Sequence, residues 1–457
     1  MCGNGEGYLN IHISNHYQDT ETRYLNPDDI ILPAGYKIEV YVSGLDAPTS
    51  MTFTRDGDLY VAESGMVSGK GRVVRIRNGM PEVIAEDFYA PITGLNHLRN
   101  DIYVSHKCHI SVIRTDRSVE KIMEGLPGNG DYGGSNVAFG NDGKMYWAQG
   151  TNTNSGVVGT DNTWVNVHPF LCDYPGSYMI LNGQNFEAPN ILANPTETVS
   201  TGAFSPFGSI NRQFEVRKGV TKASGSILRA NLDGSELEMV VWGLRYPSHI
   251  AFDYNYRLFA ANQGFDDRGS RPVTNAPDEF QMIIQGEWYG WPDYAGGEPV
   301  TSPRFQPEGG VQPEFLLTNH PDTPVRPYVL FPPYSGIMGF DFNYNRNFGP
   351  YGDVFIAEAG GKSVSTDGDI TPFSGYGHRI SRIDMSTRGV TTFAINRSGF
   401  PASLTGEGGF GSPVDALFGP DGALYILDFG VNMRSQDRLY KANSGVIWRI
   451  VRLSQVS

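Results

Sequence analysis

Arg245, in Gly-Leu-Arg-Tyr-Pro (243–247), is the residue of this chain whose chemistry most needs a partner. A guanidinium stays charged at any ordinary pH and presents five donors in one plane, so in a crowded segment it requires a protein carboxylate or an anionic ligand. Both readings stand at this point. Asp266, Asp267, Asp278 and Glu279 bracket a stretch rich in Gly and Pro. Clustered hard oxygen donors of this kind suit calcium, although the spacing is not that of an EF-hand and a solvated acidic loop accounts for it equally well. His97, His106 and His109 read as strand residues rather than a metal site, and Asp415 reads either as a site carboxylate or as an acceptor of backbone amides. No GxSxG elbow, Walker loop or strand-flanked GxGxxG occurs, so the usual serine-hydrolase, phosphate-loop and dinucleotide signatures are missing.

Six copies of one pattern must position these groups. Each begins with a small residue or Pro, continues as a short apolar strand, turns at Asp-Gly or an Asn-type turn, and ends in an apolar, aromatic strand. They start at Pro48, Pro91, Ser135, Pro247, Ser335 and Pro413. The first, third and sixth turn at Asp56-Gly57, Asp142-Gly143 and Asp421-Gly422, the strongest short hairpin signal there is. A third alternating strand follows in most copies, as in Arg72-Val73-Val74-Arg75-Ile76. The first two spacings, about 44 residues, match a four-stranded propeller blade. This predicts an all-β, six-bladed β-propeller over 30–457 behind an N-terminal extension, 1–29, with Gly35–Val42 completing the last blade. Two long insertions, 151–224 and 264–333, are placed on one face.

In a propeller the first strand of every blade runs along the central channel, so the residues that lead into those strands meet at one mouth. Here these are Ala47, Ala90, Asp131 and Tyr132, Arg245 and Tyr246, Tyr334, and Ser412, with Asp415 just inside. The set combines a cation, two carboxylates and three tyrosines, which makes it the first place to look for a ligand.

Composition narrows the partners. The formal charge of −14 argues against neutralising nucleic-acid phosphates. No stretch approaches the roughly 18 apolar residues of a membrane helix. Cys2, Cys108 and Cys172 have neither zinc nor haem spacing. Residues 1–29 show no charged-then-apolar leader pattern, while Met-Cys-Gly-Asn places Cys2 where a lipid-carrying terminus behind a new initiator Met would have it.

Gly243-Leu244-Arg245-Tyr246-Pro247, the pair Asp278-Glu279 followed by Tyr289-Gly290-Trp291-Pro292, and Pro413-Val414-Asp415 with Gly419-Pro420-Asp421-Gly422-Ala423-Leu424-Tyr425 resemble the soluble glucose/sorbosone (aldose sugar) dehydrogenases. Those are six-bladed propellers that use pyrroloquinoline quinone (PQQ), and the likeness runs from about residue 30 to residue 452. The resemblance implies a quinone over the channel mouth, held in part by Arg245, Tyr246, Tyr334 and Asp415. It implies calcium near Asp278, Glu279 and Tyr289, and proton transfer at Asp131 and Tyr132. Tyr132 stands where the family has its catalytic histidine, Tyr246 where it has an asparagine, and Ser412 where an arginine is common. A tyrosine with an ordinary pKa near 10 accepts a proton poorly beside a histidine near 6.5, so Asp131 becomes the alternative base.

The sequence is thus read as a divergent sugar or polyol dehydrogenase outside the cytoplasm, with a protein as a candidate electron acceptor. Two other readings stay open. One is an inactive propeller that binds carbohydrate or protein. The other is a calcium-dependent lactonase-type hydrolase, with Glu63, Gln149, Asn262, Glu358 and Asp428 around one ion.

Overall fold

The structure is a computed structural model that describes residues 22–66, 68–360, 375–431 and 441–453. Cys2, and with it the expected lipid attachment, lies outside the described residues. Among those described, no helix is long and apolar enough to cross a membrane.

The chain forms six antiparallel meanders of four strands, one of them with a fifth strand at its edge. Their first strands are Pro48–Phe53, Ile92–Leu98, Gly134–Phe139, Tyr246–Phe252, Ile337–Phe342 and Pro413–Phe418, each within two residues of a predicted start. The predicted hairpins form where Gly can adopt a positive φ without a Cβ clash: Gly57, Gly143 and Gly422 lie at 86°, 77° and 75°. The sixth sheet is completed by Tyr36–Leu45, which pairs with Gly445–Arg452. Ile30–Ile31 adds the edge strand to the fifth sheet. The end of the expected extension is packed rather than trailing, with buried Arg23 bonded to Asp428 at 2.8 Å.

One type of bond joins every sheet to the next. A polar side chain on each first strand bonds to the backbone of the neighbouring first strand. Ser50 Oγ accepts from Leu95 N, and Asn96 Nδ2 donates to Val137 O. The Asn136 carboxamide donates to Ile250 O and accepts from Ile250 N. Ser248 Oγ donates to Ile337 O, Asp341 Oδ2 accepts from Phe418 N, and Asp415 Oδ2 accepts from Met51 N at 3.0 Å. The last bond returns to the first sheet, so the series is a closed cycle. Apolar clusters fill the gaps between neighbouring sheets, as with Phe355, Phe393, Ile426 and Trp448 between the fifth and sixth.

The second insertion differs from expectation. Pro277–Met282 and Val329–Pro333 are the third and fourth strands of the fourth sheet, so Asp278 and Glu279 sit in a strand, not a loop. The remaining insertions pack on each other. Met179–Leu181 from the first pairs with Leu317–Asn319 from the second, and Leu181, Trp288, Trp291 and Phe305 share one core.

Asp415 and Asp341 close two joints without a cation, and burial pushes their carboxyls up to about 7 and about 6. An acid with a raised folded pKa contributes stability that is fully present below its unfolded value, near 4, and is lost as pH rises through the folded value. These two joints therefore weaken between about pH 4 and 7. Asp415→Asn stays neutral and keeps an acceptor for Met51. It should lower stability less at pH 8 than at pH 5, as urea unfolding at both values will show; equal losses would contradict the assignment.

Candidate functional site

The segments leading into the first strands of the third and fourth sheets meet two others at the same end of the ring. These are the turn after Leu258–Gln263 and the start of the first insertion. Together they build a cluster of two guanidiniums, three carboxylates and one phenol.

Tyr132 stands at its centre. Its hydroxyl donates to Asp266 Oδ2 at 2.9 Å and accepts from Arg268 Nη2 at 2.7 Å and from Arg245 Nη2. The Arg245 guanidinium lies 4.2 Å from the Tyr132 ring centroid, and the Tyr246 ring packs at 5.0 Å. Arg245 is buried and also donates to Asp266 at 2.6 Å and to Asn154 Oδ1 at 2.9 Å. Its two sequence readings thus resolve in this structure as an ion pair with the protein.

Arg268 ties the rest together. It reaches Asp131 Oδ2 at 2.7 Å, Asp161 Oδ2 at 2.5 Å and Asp266 Oδ2 at 3.3 Å. Asp131 also accepts from Trp164 Nε1 at 2.8 Å and from Asn162 Nδ2 at 3.0 Å, so both its oxygens are engaged. With every group ionised, two positive charges face three negative ones, and the cluster carries one net negative charge.

Burial moves the protons in a defined way. It pushes the Tyr132 hydroxyl well above the ordinary tyrosine value, so the phenol is a donor at neutral pH. It raises the Asp161 carboxyl to about 6, against the pull of Arg268. For Asp266, burial acts upward but Arg245 and Arg268 outweigh it and hold the group below its usual value. Asp161 Oδ1 is buried with no hydrogen-bond partner among the described residues.

The sequence pointed to Asp131, Tyr132, Arg245 and Tyr246, and the structure brings these four together. Tyr334 leads into the fifth sheet with φ 63°. Asp415 does not join the cluster: its carboxylate is taken by the amides of Met51 and Ala416, and the missing side chain of Gly339 leaves room for it. Sequence reasoning missed Arg268, Asp161 and Asn162. A readable signal existed for the first, since Asp266-Asp267-Arg268 places a cation inside the acidic stretch taken for a calcium loop.

The residues expected near calcium bond to the protein itself in this structure. Neighbours along a strand point to opposite faces of the sheet, and the oxygens of Asp278 and Glu279 are used separately. Asp278 accepts from the amides of Gly264 at 2.8 Å and Ile337 at 3.1 Å, while burial raises it to about 7. Glu279 accepts from Asn262, Gln281 and the Gly296 amide. The Tyr289 hydroxyl donates to Met282 O. No group of three or more His, Cys, Asp or Glu able to hold a metal occurs among the described residues. Members of the hydrolase set are bonded within the protein in the same way. Glu63 takes the Asp46 amide, Asn262 those of Arg245 and Tyr246, and Asp428 those of Gly411 and Ser412, each serving its own sheet.

A cavity of about 10 Å³ lies behind the cluster between Arg245, Asn262, Glu279 and Tyr289, room for roughly one water. Any larger ligand must approach from the partly exposed side, where Asp266 and Arg268 lie.

No family model matches the chain. Among curated proteins it is similar to quinoprotein glucose dehydrogenase B of Acinetobacter calcoaceticus, 34% identical over 83 residues, which is 16% of either chain. Among solved structures it is similar to the calcium structure of the Trichoderma reesei carbohydrate-active enzyme of family AA12 (14% identity, TM-score 0.56, 95% of this chain and 99% of that one). It is also similar to the soluble aldose sugar dehydrogenase of Escherichia coli (14%, TM-score 0.52, 91% and 99%). A third is the PQQ-bound aldose sugar dehydrogenase of Streptomyces coelicolor (15%, TM-score 0.50, 92% and 100%). At these identities the likeness establishes a shared β-propeller fold.

Arg268 is the shared counter-ion of three partly buried carboxylates, and removing one member of a buried ion network costs about 3–5 kcal/mol. Arg268→Ala should destabilise by that order at pH 8. The loss should shrink at pH 5, where Asp161 is protonated; urea unfolding at the two values measures it, and a pH-independent loss would count against the network.

Proposed function

We propose that the chain is a six-bladed propeller oxidoreductase of the quinone-dependent sugar dehydrogenase kind, with its site at the Arg245–Arg268 mouth. The closed cycle of six sheets and the full-length likeness to aldose sugar dehydrogenases support this reading. The observation that carries it is the placement of two arginines and two tyrosines with their rings in contact at that mouth, a donor set that fits a planar, carboxylate-bearing quinone. Arg245 and Arg268 would hold its anionic edge, and the Tyr132 and Tyr246 rings would offer it an aromatic face. Bound there, the quinone supplies the two-electron acceptor for the hydride leaving a sugar carbon.

The residues of the chain do the rest. Tyr132, held as a neutral phenol, donates to an oxygen and takes no proton. Of the carboxylates bridged by Arg268, Asp161 takes the proton of the sugar hydroxyl, because burial raises it to about 6, near neutrality, and Asp131 stands beside it. Trp164 and Asn162 fix the orientation of Asp131. Because Asp266 already occupies both guanidiniums, quinone binding is an exchange in which Asp266 yields its place. Calcium is not assigned to Asp278 or Glu279 in this scheme. Export from the cytoplasm, a carbohydrate substrate and an external electron acceptor belong to the same proposal.

A second reading is a propeller that recognises carbohydrate without oxidising it. The self-paired state of the cluster favours it, since each cation already has its anion.

Titration of the purified chain with PQQ, followed by quinone absorbance and dye reduction with a panel of aldoses, separates the two. Stoichiometric binding and sugar-dependent reduction are expected, with kcat/KM rising through about pH 6 and that limb lost in Asp161→Asn. Asp266→Asn should tighten PQQ binding. Absence of binding at micromolar quinone would overturn the first reading and leave the second.

A further inference from the structure

The hairpins that close the first strands lie at the end of the ring opposite the arginine cluster, and two of them enclose a cleft of their own. Its volume is about 540 Å³, between the hairpin of the fifth sheet and the Gly419–Gly422 turn of the sixth. That is within the usual range for small-molecule sites, roughly 300–1,000 Å³. Asn345, Asn347 and Asp421 supply polar groups to its lining, and Tyr344 and Phe418 supply aromatic surface. The two walls are fastened together, because Asn345 Nδ2 donates to Gly422 O at 3.1 Å, while Asn345 Oδ1 accepts from Asn347 N at 3.0 Å within its own hairpin.

Beside this cleft stands an exposed aromatic platform. Tyr254, Tyr344 and Tyr351 are 61%, 40% and 43% exposed, yet their rings meet one another at 5.5–6.2 Å. Single exposed aromatics are common, whereas three in contact at the rim of a polar cleft mark a binding surface. The platform is rigid. Tyr344 Oη accepts from Tyr254 N at 2.7 Å, its ring stacks on buried Phe342 at 6.1 Å, and the Arg346 guanidinium backs Tyr351 at 4.6 Å. Little conformational entropy remains to be lost when a ligand arrives.

Flat aromatic faces that receive apolar C–H groups, next to amides and carboxylates that pair with hydroxyls, match the two-sided chemistry of a pyranose ring. The Arg346 charge is turned onto Tyr351 and Asp421 is paired with Arg449 at 2.6 Å, so the surface favours a neutral ligand over an ionic one. We propose that this hairpin-end cleft is a carbohydrate-docking site for a neutral pyranose oligomer, distinct from the arginine cluster and independent of any oxidation there. The three rings are set at 52–82° to one another and so offer separate faces, which favours a chain of sugars over a free monosaccharide.

The test is calorimetric titration of the full chain with cellohexaose, xylohexaose, mannohexaose, chitohexaose and maltohexaose, with hydrogen-exchange footprinting of whichever binds. Binding is expected for at least one, with protection at 341–351 and 418–422. Tyr254→Ala with Tyr351→Ala should weaken it about tenfold or more without lowering the unfolding midpoint, and Tyr351→Trp should retain it. No binding by any of the five, affinity unchanged in the double variant, or protection confined to 131–132 and 245–268 would each overturn the proposal. None of these outcomes depends on quinone binding.

Discussion

Everything in this chain depends on how the inner edges of its six sheets are joined. A twisted four-stranded sheet cannot bury both faces alone, and apolar packing between neighbours fixes their separation but not their slide along one another. The side-chain-to-backbone bonds at the six joints supply that missing coordinate. Ser, Asn and Asp serve equally because each needs only one short polar reach into the next backbone. Where Asp is used the joint carries a charge with no cation beside it, and desolvation works against the hydrogen bonds that hold it. The register so fixed brings residues 131–132 and 245–246 to one end and the hairpins at 341–351 and 418–422 to the other.

At the first of these ends the chain has concentrated charge and then cancelled it. Two arginines and three aspartates, with a phenol among them, satisfy one another through short bonds in a partly buried setting. Such a network is costly to open one member at a time and far less costly to open by exchange, when an incoming anion replaces an outgoing one. That property suits a site that must stay intact when empty. Asp266, the more exposed partner of Arg245, is the anion best placed to leave.

What could be read from the sequence divides along the same physical line. Strand alternation and Asp-Gly turns are local, so all six first strands and the closing strand at 36–45 were readable in outline. Asp131, Tyr132, Arg245 and Tyr246 lie together because the repeat itself sends the segments that carry them to one end of the ring. The strand that carries Asp278-Glu279 was not legible, since a carboxylate pair among Gly and Pro looks the same in a loop or a strand, and only the pairing of Glu279 opposite Asn262 distinguishes the two. Arg268 and Asp161 were not legible as partners. They are more than a hundred residues apart and meet only because two irregular insertions fold over one another.

The closing strand sets an order of events during synthesis. Tyr36–Leu45 is made early but pairs with Gly445–Arg452, nearly the last residues of the described chain. Until those residues emerge from the ribosome the sixth sheet has no outer edge, and the early strand stays an unpaired template open to other nascent chains. The same arrangement makes the finished molecule a clasp. An early and a late segment of the described chain share one sheet, so separating Tyr36–Leu45 from Gly445–Arg452 opens the ring and does not merely peel a strand from it.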